Sequence, residues 1–425
     1  MFRGNHRWLM VSWLFLVGMI AYFDRVNFSI SAPAISQEFG MDPVQLGVIM
    51  SGFTIGYLIT SFPGGLLAAR FQSRLILSVI FVGWSLMTLL TGYAWSFVSL
   101  LLIRIIFGLF EGPFVPASFK IINLWTLPKD RGMATGIYVA LAPIGIVIGN
   151  LVSAVIVTSW GWRSVFYLFG GAGVILAILT WYVLRDHPEQ LPSIAKEELE
   201  LIKSSQAAFE GKAVTTSTGS TVGQLLANPW AWVISLNYFA FTLVFWANIN
   251  WLPTYFMKAR GSNLLKAGMN SSIPWIAMVA GLLLLGWLAD KVGKKYKSNW
   301  QALSLFMMVP TISYAVITPS LTACLISFSI ATFFVGGAMG LVNAINFDIF
   351  SKADVPKVSG LMVTGASIAG IIAPILVGYV LKATNSFDIA YFVFSGVAFI
   401  GGLLGLALFY KEKKLRIERQ SSYVG

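Results

Sequence analysis

Long uncharged segments recur along the whole chain, and they constrain its fold more than any single motif does. Only 11% of the 425 residues are charged and 57% are hydrophobic, whereas a soluble domain carries about 25% charged residues. A run of roughly 20 apolar residues is long enough to cross a bilayer as one α-helix. The sequence therefore predicts an all-α polytopic membrane protein.

The uncharged segments divide into twelve predicted spans. Two segments, 75–103 and 298–347, are too long for one helix and are divided at 91–96 and at 318–320. The predicted spans are residues 8–33, 44–68, 75–92, 97–119, 132–157, 164–184, 229–256, 267–289, 299–317, 321–347, 358–381 and 388–410.

The distribution of lysine and arginine predicts the orientation of the chain. Of these 29 residues, two lie within spans and five on the predicted outer side, and the rest flank the spans on the side of the N-terminus. Because cytoplasmic loops carry the basic excess, both termini are predicted to be cytoplasmic. The net charge of +12 then reflects topology and not a nucleic-acid surface. The first span is too long for the apolar region of a signal peptide, so we expect it to be retained.

The longest hydrophilic stretch predicts the domain boundaries. We predict an N-terminal six-helix half at 1–184, a cytoplasmic linker at 185–227 and a C-terminal six-helix half at 228–425 with a basic tail. Within the linker, 196–203 predicts a short surface helix, and the Ser/Thr/Gly-rich segment 215–221 predicts a flexible connection.

A weak internal repeat supports two related halves. Basic turns at 65–74 and 286–295 follow the second span of each half. Two related six-helix halves are typical of a transporter whose halves rock around a site near the middle of the membrane.

The spans hold four deep ionisable residues, all in the first half: Asp24, Arg25, Arg104 and Glu111. A charge at that depth costs on the order of 2.5–3.5 kcal/mol, so such residues are functional by default. Neighbouring helix positions are about 100° apart, so Asp24 and Arg25 face different ways, while Asn27 shares the face of Asp24. Arg104 and Glu111 are two turns apart, about 10 Å, so we expect each to find its partner on the first helix.

We interpret Arg25 and Arg104 as the groups that attract an anion, and Asp24 and Glu111 as the groups that exchange protons. The four charges cancel when all are ionised, so a bound anion adds uncompensated charge at low dielectric. Protonation of a carboxylate removes this charge and frees an arginine for the substrate, which couples the two events. The alternative is that some of these charges only tie helices together.

Several stretches resemble known families. The turns at 65–74 and 286–295 resemble the loop motif of the major facilitator superfamily, with Ala69 and Gln72 departing from it in the first copy. Four further stretches resemble the anion:cation symporter family within it: Tyr22-x-Asp24-Arg25-x-Asn27; Arg104 through Glu111-Gly112-Pro113 to Pro116-Ala117; Trp125-x-x-Pro128-x-x-Arg131-Gly132-x-Ala134-x-Gly136; and Gly161-Trp162-Arg163-x-x-Phe166. The resemblance implies the twelve-helix major facilitator fold, a multi-pass location in the bacterial inner membrane, and similar roles for the acids and arginines.

The resemblance also implies a substrate class, a small organic anion, with a sugar acid of the hexonate, hexuronate or aldarate type as the best candidate. Asn343, Val363 and Ser61 differ from many sugar-acid members at the aligned positions, so the recognition half departs from the pattern. An aromatic or sulfonated acid, or sodium in place of protons, remains an alternative.

Neutral polar and aromatic residues are candidates for further substrate contacts, with helix packing as the alternative for each. They are Tyr22, Asn27 and Tyr57 in the first half and Trp251, Asn343, Asn346 and Ser367 in the second. Asn150 is expected to tie helices together.

Arg131, Asp290 and Lys294 at the cytoplasmic loops are candidate gating residues that would form ion pairs in one conformation, with positive-inside anchoring as the alternative for the lysine.

Other function classes lack their sequence signatures. Cys324, His6 and His187 are dispersed and predict no metal site. No Gly-x-Ser-x-Gly elbow or phosphate-binding loop is present, so we expect neither an enzyme nor a bound cofactor, and two related halves with one asymmetric set of charges favour alternating access over a channel. The expected partners are an organic anion, protons and the lipid bilayer, with no nucleic acid, and the protein is expected to act as a monomer. The identity of the anion, the stoichiometry and the order of protonation stay open.

Overall fold

The structure is a computed structural model that describes residues 6–210, 219–291, 297–351 and 353–421. Within these ranges the chain forms fifteen α-helices and one short 3-10 helix. They are α1 His6–Glu38, α2 Pro43–Arg70, α3 Ser73–Gly92, α4 Phe97–Glu111, α5 Phe114–Trp125, α6 Arg131–Trp160, α7 Trp162–Val183, the 3-10 helix Pro188–Gln190, α8 Lys196–Glu210, α9 Val222–Leu226, α10 Pro229–Lys258, α11 Leu264–Lys291, α12 Lys297–Ile317, α13 Leu321–Ile349, α14 Val355–Thr384 and α15 Asp388–Ser421.

Among the described residues, twelve helices are long and apolar enough to span a membrane, with α4 and α5 counted as one. The predicted all-α fold with twelve spans is thus confirmed. Each observed span extends beyond the predicted one at one end or at both, because polar residues at the ends of a span continue the helix beyond the apolar segment.

The predicted single helix at 97–119 is wrong in one respect: it is interrupted after Glu111. Pro113 has no amide hydrogen, so it cannot donate to the carbonyl of Leu109, four residues earlier. The hydroxyl of Thr60 on α2 donates to that carbonyl instead, at 2.8 Å. Because of this break, Glu111 is the last residue of α4.

Contacts between Cα atoms divide the chain into two compact units. Unit 1 comprises Met1–Phe39 and Gly52–Thr216, and unit 2 comprises Gly40–Ser51 and Ser217–Gly425. The helix α2 therefore belongs to both, and its first turns pack on α14 within unit 2.

Three contacts hold the first turns of α2 against α14. The Lys382 ammonium group donates to Asp42 at 2.8 Å, and the Ser51 hydroxyl donates to the carbonyl of Ile371 at 2.7 Å. A side chain at Gly47 would collide with the carbonyl of Pro374, so the two backbones approach closely because this residue is glycine.

In each unit a carboxylate from the sixth span, or from just after it, caps the N-terminus of the third span. In unit 1 the carboxylate of Asp186, just after α7, accepts a hydrogen bond at 3.1 Å from the amide of Arg74, the second residue of α3. In unit 2 the carboxylate of Glu412 on α15 accepts one at 3.3 Å from the amide of Ser298, the second residue of α12. First-turn amides lack partners within their own helix and favour a negative charge. This repeated contact supports a common origin for the two halves more strongly than the loop sequences do.

The predicted surface helix of the linker is confirmed as α8. Its Glu198 carboxylate accepts hydrogen bonds from the amides of His6 and Arg7, each at 3.2 Å, and thereby caps the N-terminus of α1. Of the predicted flexible segment, residues 215–218 lie outside the described part of the chain.

Arg260 caps the C-terminus of α12. Its guanidinium group donates to the carbonyls of Ala315 at 2.8 Å, Val316 at 3.0 Å and Thr318 at 2.6 Å, and its Nε donates to the hydroxyl of Tyr255 at 2.9 Å. The last carbonyls of a helix lack partners within the helix and favour a positive charge.

We expect Arg260→Ala to lower the apparent Tm of the detergent-solubilised protein. A hydrogen bond to a charged group contributes about 1.5–3 kcal/mol, so the loss should be roughly 4 °C or more. The matched control is Lys258→Ala, which removes an exposed positive charge from the last residue of α10, two positions before Arg260, and should leave the Tm within error. Equal shifts in the two variants would contradict the capping role.

Candidate functional site

The adjacent charges on α1 have separate surroundings, as the sequence predicts. Arg25 forms an ion pair with Glu111 at the end of α4, in which the Nη2 of Arg25 donates to Oε1 of the carboxylate. The side chain of Glu111 is fully buried and that of Arg25 is 10% exposed. The predicted partner for Glu111 on the first helix is thus confirmed.

Aromatic rings surround the Arg25 guanidinium. Its central carbon lies 4.3 Å from the ring centroid of Tyr22, 4.9 Å from that of Phe53 and 5.8 Å from that of Tyr57. A cation over an aromatic face is stabilised by about 2 kcal/mol when it is shielded from water. Tyr22 and Tyr57 therefore lie at the charge cluster, where the sequence analysis expects them.

Arg104 lacks the carboxylate partner that the sequence analysis expects on the first helix. It is 3% exposed, and within the described ranges its guanidinium makes no ion pair within 4 Å and its Nε makes no hydrogen bond. Its neighbours are instead the rings of Phe28 at 4.8 Å, Phe107 at 5.2 Å and Phe53 at 5.6 Å. The direct contact with the first helix is therefore the ring of Phe28, whereas Asp24 on that helix interacts with Arg104 only at longer range. The expected ion pair is not formed among the described residues.

Phe53 contacts both guanidinium groups, and the sequence analysis missed it. It lies on α2, one turn before Tyr57, with ring centroids 5.9 Å apart. Two glycines bring α2 against α4: a side chain at Gly56 would collide with the carbonyl of Ile105, and one at Gly108 with that of Phe53. This close approach places the aromatic face of α2 beside both arginines.

Asp24 forms no ion pair in the described part of the chain, although it is 1% exposed. One carboxylate oxygen accepts a hydrogen bond from the Asn27 amide at 3.4 Å, which confirms the predicted contact along α1. The hydroxyl of Thr88 on α3 lies within hydrogen-bonding range of the carboxyl group. The cluster thus contains one tight pair, Arg25 with Glu111, and two separate opposite charges, Arg104 and Asp24.

Tyr138 on α6 is a second residue that the sequence analysis missed. It is 5% exposed, and its hydroxyl lies within hydrogen-bonding range of Ser118 on α5. It lies within electrostatic range of Arg25, Tyr22 and Tyr57. No signal in the sequence marks it, because tyrosine is common in apolar spans.

The candidates of unit 2 are mostly engaged in helix packing. The indole of Trp251 is buried and donates to the carbonyl of Pro374 at 3.2 Å. The buried amide of Asn346 donates to the Ser359 hydroxyl at 3.0 Å. The Ser367 hydroxyl donates to a carbonyl of its own helix at 3.0 Å, whereas Asn343 is exposed and its amide lies 3.4 Å from the carbonyl of Met339.

The predicted gating residues have the following surroundings. Asp290 pairs with Lys297 at 3.9 Å, and Lys297 also lies 3.9 Å from Asp348. In unit 1 the Arg131 guanidinium donates to the carbonyl of Asn123 at 3.3 Å. Lys294 lies outside the described residues.

Comparison with known proteins gives one consistent family. The sequence model of the Major Facilitator Superfamily matches residues 14–345 and 299–422. A protein of Bacillus subtilis (strain 168) named "Probable galactarate/D-glucarate transporter" is 31% identical over 96% of this chain and 92% of its own length. A "Probable sulfoacetate transporter" of Cupriavidus necator is 28% identical over 95% and 94%. The crystal structure of a bacterial homologue of the human lysosomal transporter Spinster has the same fold, with a TM-score of 0.75 and 20% identity over 96% of both chains.

We expect the buried ion pair to be strongly coupled in its effect on stability. Arg25→Met alone leaves the Glu111 carboxylate buried without its partner, which costs about 3–5 kcal/mol. The double variant Arg25→Met with Glu111→Leu removes both charges. Its Tm should therefore be higher than that of either single variant and close to that of the wild type. Thermal denaturation of the wild type, both single variants and the double variant gives the coupling.

If the Tm loss of the double variant equals the sum of the losses in the two single variants, the ion pair is contradicted. The corresponding cycle with Arg163 and Glu38, whose ion pair is partly exposed, is the control and should show little coupling.

Proposed function

The chain belongs to the Major Facilitator Superfamily, and on that premise we propose that it takes up a small organic anion by proton symport through alternating access. The observation that carries the proposal is the buried guanidinium of Arg104, which has aromatic neighbours but no acidic partner among the described residues. The family, the bacterial relatives and the twelve spans together make the chain a multi-pass transporter of the bacterial inner membrane and not an enzyme.

Arg104 is the proposed anchor for the anion. A guanidinium group stays protonated in proteins and presents several N–H donors in a planar fork. Aromatic faces stabilise its charge but accept none of these donors as strong hydrogen bonds. A substrate carboxylate satisfies two of them at once, and charge-assisted pairs of this kind are among the strongest hydrogen bonds in proteins.

The charge balance of the cluster supports proton coupling. With all four groups ionised, Arg25 and Glu111 cancel in their ion pair, and Arg104 and Asp24 cancel across the site. A bound carboxylate adds one negative charge, which is expensive to hold in a buried site. Protonation of Asp24 or Glu111 restores neutrality, so anion and proton each favour the binding of the other.

Protonation of Glu111 and protonation of Asp24 change the charge cluster in different ways. A proton on Glu111 weakens its pair with Arg25 and frees a second guanidinium for the substrate. A proton on Asp24 leaves the Arg25 pair intact and removes the one negative charge that stands apart from it. We propose that both acids take part in coupling.

A sugar acid is the proposed substrate class. The relative from Bacillus subtilis is named for galactarate and D-glucarate, and the hydroxyl groups of Tyr22, Tyr57 and Tyr138 offer donors and acceptors for a polyhydroxy chain. Because the polar groups of Trp251, Asn346 and Ser367 are engaged within unit 2, the exposed Asn343 is the best of the candidates in that unit. The relative named for sulfoacetate makes a sulfonated acid the second candidate.

Ligand-induced stabilisation tests the proposed anchor. The purified protein is titrated with D-glucarate, D-galactonate and sulfoacetate while its Tm is recorded, and binding raises the Tm in proportion to the logarithm of ligand concentration. We expect a sugar acid to stabilise the wild type and Arg104→Met to weaken its binding by about 100-fold or more, because two charge-assisted hydrogen bonds are lost.

The control for this experiment is Arg163→Met, which removes a partly exposed arginine of the same unit and should bind as the wild type does. Unchanged affinity in Arg104→Met would refute the anion role of Arg104. If only sulfoacetate raises the Tm, the proposed substrate class is a sulfonated acid and not a sugar acid.

A further inference from the structure

We propose that two arginines at one end of α3 and α7 bind the headgroup of an anionic phospholipid. The site lies within unit 1 and is formed by Arg74, in the first turn of α3, and Arg185, just after the end of α7. It shares no residue with the charge cluster around Arg104, and the proposal goes beyond the proposed transport function without depending on it.

The two guanidinium groups meet at one carbonyl oxygen. Nε of Arg74 donates to the carbonyl of Trp181 at 2.7 Å, and Nη1 of Arg185 donates to the same oxygen at 3.4 Å. The same nitrogen of Arg185 also donates to the carbonyls of Tyr182 at 2.7 Å and Leu184 at 2.8 Å. These hydrogen bonds hold the two positive groups side by side at the C-terminal end of α7.

An aromatic side chain fixes the position of each arginine. The central guanidinium carbon of Arg74 lies 4.0 Å from the ring centroid of Trp181, and arginine favours stacking on aromatic faces. The indole of Trp125 on α5 donates to the main-chain carbonyl of Arg185 at 2.9 Å. A site whose donors are already held in place loses less conformational entropy when it binds a ligand.

Among the described residues no acid neutralises this pair of charges. Neither arginine forms an ion pair within 4 Å, whereas Arg7, Arg163 and Arg416 each have a carboxylate within that distance. The carboxylate of Asp186 accepts a hydrogen bond from the amide of Arg74 and acts on its guanidinium only at longer range. The site therefore carries excess positive charge.

Capping of α7 does not by itself explain the second arginine. The last carbonyls of a helix favour a positive charge, and Arg185 alone reaches three of them. Arg74 adds a like charge beside it, which repels the first. The Nη atoms of Arg74 donate to no other residue in the described part of the chain. An anion between the two groups removes the repulsion and accepts hydrogen bonds from these donors.

The surroundings place the two arginines at the edge of the membrane. Both α3 and α7 are membrane spans, and the site lies where α3 begins and α7 ends. Ile175, Ile178 and Tyr182 are exposed, and their spacing of three and seven positions puts them on one face of α7. The exposed rings of Trp181 and Tyr182 are typical of the level of lipid headgroups. An apolar helix face thus leads away from the two positive charges.

An anionic phospholipid matches both parts of this site. Its phosphate offers oxygen acceptors to two guanidinium groups, and arginine binds phosphate through paired hydrogen bonds. Its acyl chain covers the exposed face of α7, which a free phosphate cannot do. Basic pockets between membrane helices bind headgroups in this way. A zwitterionic lipid carries a positive group next to its phosphate, so we expect the site to discriminate against it.

Native mass spectrometry of the purified protein in detergent tests the proposal. The fraction of protein with bound lipid is measured against the concentration of phosphatidylglycerol, and in parallel against that of phosphatidylcholine. We expect the wild type to bind phosphatidylglycerol more tightly. Arg74→Gln with Arg185→Gln should weaken that binding by roughly 20-fold or more, since each basic residue near an anionic headgroup contributes about fivefold. The affinity for phosphatidylcholine should change much less.

The double variant is designed to keep the helix end intact, because glutamine retains an N–H donor for the carbonyls of α7. The Tm of the lipid-free protein measures the capping role separately. The matched control is Lys203→Gln, which removes a positive charge of α8 that is paired with Glu189 and should bind phosphatidylglycerol as the wild type does.

Three results would overturn the proposal. The first is an unchanged affinity for phosphatidylglycerol in the double variant, whatever its lipid-free Tm, which would leave both arginines with capping alone. The second is an equal loss of affinity in Lys203→Gln, which would show attraction by net charge and not a site. The third is displacement of the lipid by inorganic phosphate at equal concentration, which would assign the site to a soluble anion.

Discussion

The arginine at position 104 carries a positive charge into the interior of unit 1 without an acid beside it, and the chemistry of the site depends on that charge. Three phenylalanine rings surround its guanidinium group. Cation–π contacts of about 2 kcal/mol each recover only part of the cost of burying an ion, which is several kcal/mol even after relaxation. In the proposed mechanism an incoming anion relieves the remaining cost, so the unfavourable burial of one charge favours the binding of another.

The second arginine shows the opposite solution to the same problem. Arg25 is neutralised by Glu111 and contacts the rings of Tyr22 and Phe53. A carboxylate at the very end of α4 is possible because Pro113 stops the helix there and Thr60 takes the carbonyl that the proline leaves without a donor. The break in the fourth span thus determines where the acid of the pair is placed. One arginine is paired with an acid and the other has no carboxylate within 4 Å. In the proposed mechanism this asymmetry links anion binding to protonation.

Much of this arrangement could be predicted from the sequence, because charges in apolar spans are rare and helix geometry fixes their spacing. The different directions of Asp24 and Arg25, the contact between Asp24 and Asn27, and the partner of Glu111 all follow from positions along helices. The surroundings of Arg104 could not be predicted, since they depend on how closely α2 and α4 approach. Phe53 is one of 32 phenylalanines in the chain, and nothing in its local sequence distinguishes it from the others.

The second half was harder to predict for a related reason. Asparagine and serine in a span serve equally well as helix ties and as ligand contacts, and only tertiary structure decides between them. Asn346 is an instance, because its amide reaches the hydroxyl of Ser359 on the neighbouring helix. The interruption after Glu111 was also missed, although Gly112 and Pro113 are visible in the sequence, because the largely apolar segment 97–119 is long enough to form one span.

The most direct test of the account is the number of protons taken up when the anion binds. Isothermal titration calorimetry of a monocarboxylate sugar acid in buffers of different ionisation enthalpy gives that number for the wild type and for the variant in which both Asp24 and Glu111 are replaced by Asn and Gln. The charge balance predicts uptake of about one proton per anion in the wild type and none in the variant. Tight binding by the wild type with no proton uptake would contradict the coupling of anion and proton through this cluster.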